Sequence, residues 1–247
     1  EQSANANLRV LASDHVIEDI DTFHNLIETG RKYASDGKLV TFGIVPGSPE
    51  TGYGYIQKGE IIDDGSAYSI QQFVEKPDLK TAKHYLDSGE YLWNSSVFMF
   101  DAAVYLNELK RHAPDIFEVC CKAHSELTNE SDFAFIPSSI FESCRSDSID
   151  YAVMENTDEG IVLPMDAGWN DLGAWNALWE IGEKDQQDNV ISGDVLVEGV
   201  SSSYIQAQSR LVAAVGLNDA IIVETADAVL VASKDEAQSV KQIVDQL

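Results

Sequence analysis

The stretch Gly168-Trp169-Asn170-Asp171-Leu172-Gly173-Ala174-Trp175 sets one carboxylate, Asp171, among two glycines and two tryptophans. Glycine lets backbone turn or approach a ligand closely, and tryptophan supplies large apolar surface. A carboxylate held there suits a hard cation such as magnesium, which prefers oxygen ligands. The plainer alternative is an aromatic-stapled turn with a solvated Asp. A second carboxylate, Asp14, follows the apolar run Leu8–Ala12. Open α/β sheets bind ligands just past strand ends, although Asp there also caps helices. Two acids far apart in sequence, each past a strand exit, can share one divalent ion.

Three further places carry usable chemistry. Glu75-Lys76-Pro77 follows an apolar strand pattern. Glu75 suits hydroxyl donors and Lys76 suits a phosphate; two solvated charges are the alternative. On a strand the pair would point to opposite faces, so no ion pair is expected within the dipeptide. Pro77 biases Lys76 toward extended backbone and can open the next helix. Asn94-Ser95-Ser96 interrupts the apolar run Tyr91–Phe100. Polar side chains there need partners; for Asn94 a sugar hydroxyl or a neighbouring backbone group would serve. The loop 46–55 is dense in Gly and Pro. Its Gly54 either lets a ligand ring lie on the backbone or merely completes a connection. The loop lacks the Gly-Lys-Ser/Thr ending of a Walker phosphate loop.

The elements that would position these residues follow from periodicity. Residues 8–12 read as a buried strand, 19–34 as an amphipathic helix and 39–45 as another strand, a βαβ pattern. Strands at 55–57 and 69–74 flank the turn signal Asp63-Asp64-Gly65, which predicts a hairpin. Helices are expected over 78–86, 101–112 with Asp101 as cap, 114–123 opened by Pro114, 138–145 and 148–156. Residues 161–165 form a strand leading into the Gly168 stretch. Beyond Gly182 short β runs recur at 194–200, 203–207, 210–215, 220–224 and 228–232, and a helix closes the chain over 234–246. The expected fold is α/β, with a boundary at 184/185: a Rossmann-like sheet over 1–184, then a small β-solenoid-like module over 185–247. The exposed edges of such a module suit a dimer interface.

The totals narrow the class. A chain of 247 residues with 44% hydrophobic content can bury a core. With 42 acidic against 16 basic residues, the net charge of −26 argues against nucleic acid as a partner, because the phosphate backbone needs a basic surface. No run of about 20 apolar residues predicts a membrane span, and no signal peptide is visible. Cys120, Cys121 and Cys144 fit neither a disulfide framework nor a zinc pattern; reduced thiols in the cytoplasm are expected. The five histidines are scattered without metal-ligand spacing.

Ser13-Asp14-His15, Thr51-Gly52-Tyr53-Gly54-Tyr55-Ile56, Phe73-Val74-Glu75-Lys76-Pro77, Trp93-Asn94-Ser95, Ser148–Glu155 (Ser-Ile-Asp-Tyr-Ala-Val-Met-Glu) and Gly168-Trp169-Asn170-Asp171 stand in this order. Together they closely resemble the bacterial mannose-1-phosphate guanylyltransferases, a family of sugar nucleotidyltransferases. The resemblance covers nearly the whole chain, the β module included. It implies an enzyme in which mannose 1-phosphate attacks the α-phosphorus of GTP, giving GDP-mannose and pyrophosphate, with Mg2+ and basic residues offsetting phosphate charge. It implies Asp14 and Asp171 as metal ligands, and Glu75 and Asn94 at mannose hydroxyls. Gly54 would lie against the sugar and Lys76 would face sugar or phosphate.

The departures are specific. The family's Gly-rich loop with its Gly-Thr-Arg step, and the Pro-Lys-Gln segment after it, do not occur in this sequence. The chain therefore reads as lacking the nucleotide-binding front of the domain and as inactive or weakly active alone. Ser13 stands where the family usually has Ala, and Ser96 where it usually has Gly. The isomerase domain that some relatives carry is not expected here. Expected partners are mannose 1-phosphate, GTP or GDP-mannose and a second copy in a homodimer, in the service of polysaccharide synthesis. The alternatives are a non-catalytic binding or dimerisation fragment, and a nucleotidyltransferase for another hexose 1-phosphate.

Overall fold

Leu39–Ile44 alternates side chains between two apolar layers, and every residue in it is buried. Val40, Phe42 and Ile44 join one layer with Ile27, Ala34, Leu163 and Met165. Leu39 joins the other with Phe98, Phe100, Leu109, Val153 and Val162. A strand buried on both faces belongs at the centre of a sheet. The computed structural model, which describes residues 6–130, 133–244 and 246, places it there. The chain divides into two compact units. One runs to Ser13 and then from Ile17 to Trp169; the other takes Asp14–Val16 and runs on from Asn170.

The first unit contains β1 (Asn7–Val10), α1 (Ile20–Ser35), β3 (Leu39–Ile44), β4 (Gly54–Ile62), β5 (Ala67–Glu75), α2 (Leu79–Ser88), β6 (Tyr91–Asp101), α3 (Ala102–His112) and α4 (Pro114–Ser125). There follow β7 (Thr128–Glu130), β8 (Phe133–Phe135), the short α5 (Ser138–Phe141), a π-helical turn (Asp150–Met154) and β9 (Gly160–Met165). The two-residue strands β2 (Val16–Ile17) and β10 (Trp169–Asn170) fall at the unit boundaries in sequence. The six-stranded sheet has the order β1-β6-β3-β9-β5-β4. Strand β6 is antiparallel to both β1 and β3, so β1 and β3 point the same way across α1. Among neighbours in this sheet, β3 and β9 are the parallel pair. Strand β4 pairs with β5 as the expected hairpin and also with β6 at Tyr55–Trp93. That lacing brings the ends of β4, β5 and β6 together, and with them Gly54, Glu75 and Asn94.

Local chemistry explains where the helices start. Asp19 accepts from the Thr22 amide at 2.9 Å and Asp101 from the Ala103 amide at 2.9 Å, capping α1 and α3. Pro114 occupies the first turn of α4, where no amide is needed. Pro77 sits one step earlier than expected, because Asp78 is the cap of α2.

Three expectations on elements of the first unit need correction. The run at 8–12 is not buried. β1 is an edge strand, and Leu8, Val10 and Leu11 are exposed by 37%, 41% and 48%. The helix expected over 138–145 is a four-residue α5, and that over 148–156 is a single π-helical turn.

The second unit contains α6 (Trp175–Ile181), β11 (Val190–Ser192), β12 (Val195–Glu198), β13 (Tyr204–Ala207), β14 (Val212–Val215), β15 (Ala220–Glu224) and β16 (Val229–Ser233). Strands β11, β13 and β15 stack in parallel, with Val190, Tyr204 and Ile221 in register, and β12 stacks on β14. This two-sided coil is the solenoid pattern, closed by antiparallel β16. Its ends are held by named polar groups. Buried Asn189 donates to Val200 O at 2.9 Å and accepts from the Ser203 amide at 3.1 Å. The closing segment is a 3-10 turn (Lys234–Ser239) followed by α7 (Val240–Val244), in place of one continuous helix.

Candidate functional site

Gly54 and Glu75 are register partners at one end of the β4–β5 hairpin. A Cβ at position 54 would fall on Glu75 Oε2 and within 3.3 Å of Asn94 Cβ. Glycine here makes room for a carboxylate, and Ala would push it away. The other oxygen, Glu75 Oε1, accepts from Lys76 Nζ at 2.9 Å. The side chains are 17% exposed for Glu75 and 63% for Lys76, so the ammonium reaches solvent while the acid is held back.

This pair corrects the expectation that neighbours on a strand cannot meet. Strand β5 ends at Glu75, and Lys76 turns into the left-handed region with φ +46. Strand alternation no longer applies to it, and Pro77 does not hold it extended. The Lys76 amide donates to Tyr53 O at 3.2 Å, which holds the turn. Hydrogen bonding and charge from Glu75 raise the Lys76 pKa.

Asn94 lies on β6 and is only 7% exposed. Its Nδ2 donates to Asp150 Oδ1 at 2.9 Å and lies 3.5 Å from Ser96 Oγ, and its Oδ1 accepts from the Ser96 amide at 3.1 Å. Ser96 takes φ +55. That explains glycine as the family's usual residue at this point, because a side chain in the left-handed region costs about 1–2 kcal/mol.

Sequence reasoning assigned no role to Asp150, Tyr151 or Glu155, although the motif Ser148–Glu155 was among those carrying the resemblance. In the π-helical turn Ala152, Val153 and Met154 are buried. Burial raises the Asp150 pKa, and the Glu75 charge adds to it against the lowering effect of Asn94 and Ser148. Glu155, although exposed, is raised too, by partial desolvation and by the charges of Glu75 and Asp150. Glu75 and Asp150 both act on the Lys76 ammonium, and Glu155 acts on the two acids. An ammonium that reaches solvent beside carboxylate acceptors offers one group for an anion and others for hydroxyl donors. Beside this cluster Tyr53 packs edge-on to Trp93 at 5.0 Å and to Trp169 at 5.5 Å.

Asp14 and Asp171 both belong to the second unit. Asp14 is exposed in a bend. Asp171 Oδ1 accepts from the Gly173 amide at 3.0 Å, and Asn170 Oδ1 from the Leu172 amide at 2.8 Å. These successive turns orient the Asp171 carboxylate. A Cβ on Gly173 would come within 2.8 Å of Asp171 Oδ2, so glycine keeps that oxygen clear of backbone bulk. Among the described residues no group of three or more His, Cys, Asp or Glu is arranged to hold a metal. Carboxylates such as Asp14 and Asp171 are the donor type of magnesium, which takes one or two carboxylates and completes its shell with phosphate and water oxygens.

Residues 1–188 match the family described as nucleotidyl transferase, and residues 193–247 match the mannose-P isomerase/GMP-like β-helix domain. Mannose-1-phosphate guanylyltransferase RfbM of Salmonella typhimurium is 49% identical over 245 residues, covering 99% of this chain and 51% of that protein. The mannose-1-phosphate guanylyltransferase of Escherichia coli K12 is 48% identical over 241 residues, covering 96% and 50%. The chain thus spans about half the length of the curated relatives it matches. A crystal structure from Thermus thermophilus, described as a mannose-1-phosphate geranyltransferase, superposes with a TM-score of 0.84 at 30% identity, over 97% of this chain and 69% of that one.

Proposed function

The chain belongs to the nucleotidyl transferase family, and from that premise we propose that it carries the sugar and metal sites of a mannose-1-phosphate guanylyltransferase. The reaction is transfer of GMP from GTP to mannose 1-phosphate. A phosphate oxygen of the sugar forms a bond to the α-phosphorus of GTP, the bond to the β-phosphate bridge breaks, and pyrophosphate leaves. The observation that carries the reading is the set Gly54, Glu75, Lys76 and Asn94 at the joined ends of β4, β5 and β6, with Asp150 tied to Asn94 by a hydrogen bond.

Each residue has a physical task. The Lys76 ammonium, exposed and tethered by Glu75, meets the sugar phosphate. Glu75 accepts from sugar hydroxyls, and Gly54 keeps its carboxylate in place. Asp14 and Asp171 would hold a magnesium ion. When bound, that ion would neutralise phosphate charge as it develops. Positioning does most of the remaining work, since little covalent chemistry falls to the protein.

The sequence contains neither the Gly-Thr-Arg step nor the Pro-Lys-Gln segment of the family, so this polypeptide alone is expected to bind the sugar phosphate but to make little GDP-mannose. Free cysteines and nucleotide substrates support a cytoplasmic setting. No helix of the described residues is long and apolar enough to cross a membrane. Exposed Leu196, Val215 and Val231 on the solenoid support a homodimer.

Calorimetric titration of mannose 1-phosphate with magnesium tests the reading. Saturable binding weakened about tenfold or more in Asp171→Asn supports it, at roughly 1.4 kcal/mol. Absence of binding by the unaltered chain rejects it.

A further inference from the structure

Asn94 and Asp150 are joined by one short hydrogen bond, and the two ends of that bond are unequally satisfied. An amide has two N–H donors and two carbonyl lone pairs. In Asn94 the donors face Asp150 Oδ1 and Ser96 Oγ, and one lone pair takes the Ser96 amide. With 7% exposure, Asn94 has almost no capacity left for a ligand. A carboxylate offers about four lone-pair sites. Asp150 Oδ1 receives the hydrogen bond from Asn94 at 2.9 Å, and the carboxylate is half-buried, with the Glu75 charge adding to the burial that raises its pKa.

An ionised acid partly withdrawn from water and set beside another acid is costly unless hydrogen bonds satisfy it. The side-chain donor, Asn94, leaves acceptor sites open on it. Hydroxyl groups would supply what is missing, because each brings a donor and no charge. An anionic group would meet Glu75, Glu155 and Asp150 together and be repelled. The cluster therefore selects a neutral polyol at this end, with any phosphate directed to Lys76.

We propose that Asp150 reads hydroxyl groups of the hexose and that Asn94 is a positioning residue, its amide spent on holding the Asp150 carboxylate in place. This rests on the reading of the site as a hexose-phosphate pocket and changes which residue touches the sugar.

Binding of mannose 1-phosphate and its 2-, 3- and 4-deoxy analogues to the 247-residue chain provides the test. Asp150→Asn keeps an acceptor for the Asn94 amide and removes the charge. It should weaken mannose 1-phosphate about tenfold or more, the worth of a charge-assisted hydrogen bond. At least one deoxy analogue should bind the unaltered chain about tenfold more weakly and lose that difference in Asp150→Asn. Asn94→Ala should weaken all ligands by a common factor and keep the differences among them.

The proposal is overturned if Asp150→Asn binds like the unaltered chain, or if Asn94→Ala, and not Asp150→Asn, erases the response to one hydroxyl. Should Asp150→Asn fail to fold, Asp150→Glu keeps the charge but moves its oxygens, and it must erase the same response. If the unaltered chain binds no mannose 1-phosphate, the functional reading fails first, which separates the two failures.

Discussion

Two carboxylates, one buried and one half-buried, are treated in opposite ways in the two units. Glu224 in the solenoid is 2% exposed. Its oxygens accept from the amides of Gln208, Ser209 and Arg210, from Ser209 Oγ and from Arg210 Nε, at 2.6–3.1 Å. The Ser209 bonds come first among the causes that push its pKa well below the usual carboxylate range. Asp150 in the sheet unit has fewer donors, acidic neighbours and a pKa pushed up by burial. A saturated acid organises a turn. An acid left short of donors is held ready for a partner that brings them. The contrast separates scaffold from site more sharply than burial does.

The largest expected effect comes from exchanging each acid for its amide. Glu224→Gln puts an NH2 against amides that need acceptors, so the solenoid's thermal midpoint should fall further than for any other substitution named here. Asp150→Asn keeps its bond to Asn94 and sheds an ill-placed charge, so its midpoint should hold or rise. The pH responses run in opposite directions. The folded pKa of Glu224 lies below the ordinary 4.5, so its contribution is complete above that value and drains as pH falls below it. The folded pKa of Asp150 lies above the ordinary 3.8, so its ionisation costs stability above the folded value, and that cost is relieved as pH falls. Denaturation followed by circular dichroism from neutral pH to pH about 3.5 reads both. Equal losses in the two variants would end the comparison.

A smaller effect is expected at Gly54. Gly54→Ala sets a methyl group on Glu75 Oε2, and mannose 1-phosphate binding should weaken about tenfold, or roughly 1.4 kcal/mol, with the fold retained. Unchanged binding would remove Glu75 from the pocket. The smallest is at Ser96, where φ is +55. Ser96→Gly relieves the left-handed strain but frees the unfolded chain, and a net gain of about 0.5–1 kcal/mol in urea denaturation is expected. A loss would mean that the weak contact with Asn94 outweighs the strain.

Much of the scaffold was legible. The hairpin around Asp63-Asp64-Gly65, the cap Asp101 and Pro114 opening α4 all rest on contacts within a few residues. The failures were of another kind. Leu8–Ala12 looks like a core strand because apolar composition does not say whether a strand has one neighbour or two. Glu75 and Lys76 look like strand residues on opposite faces because the end of β5 is decided by its register with β4. At the site, Gly54, Glu75, Lys76 and Asn94 could be singled out one by one. Asp150 could not, because its bond to Asn94 joins residues 56 positions apart.

The sequence alone determined the family, the order of its elements and the residue types available for phosphate, hydroxyl and cation, since these depend on composition, periodicity and local turns. The tertiary structure decided which of those groups still have hydrogen-bonding capacity to offer. That capacity depends on what each group already touches, and contacts between distant segments form only when the strands are in register.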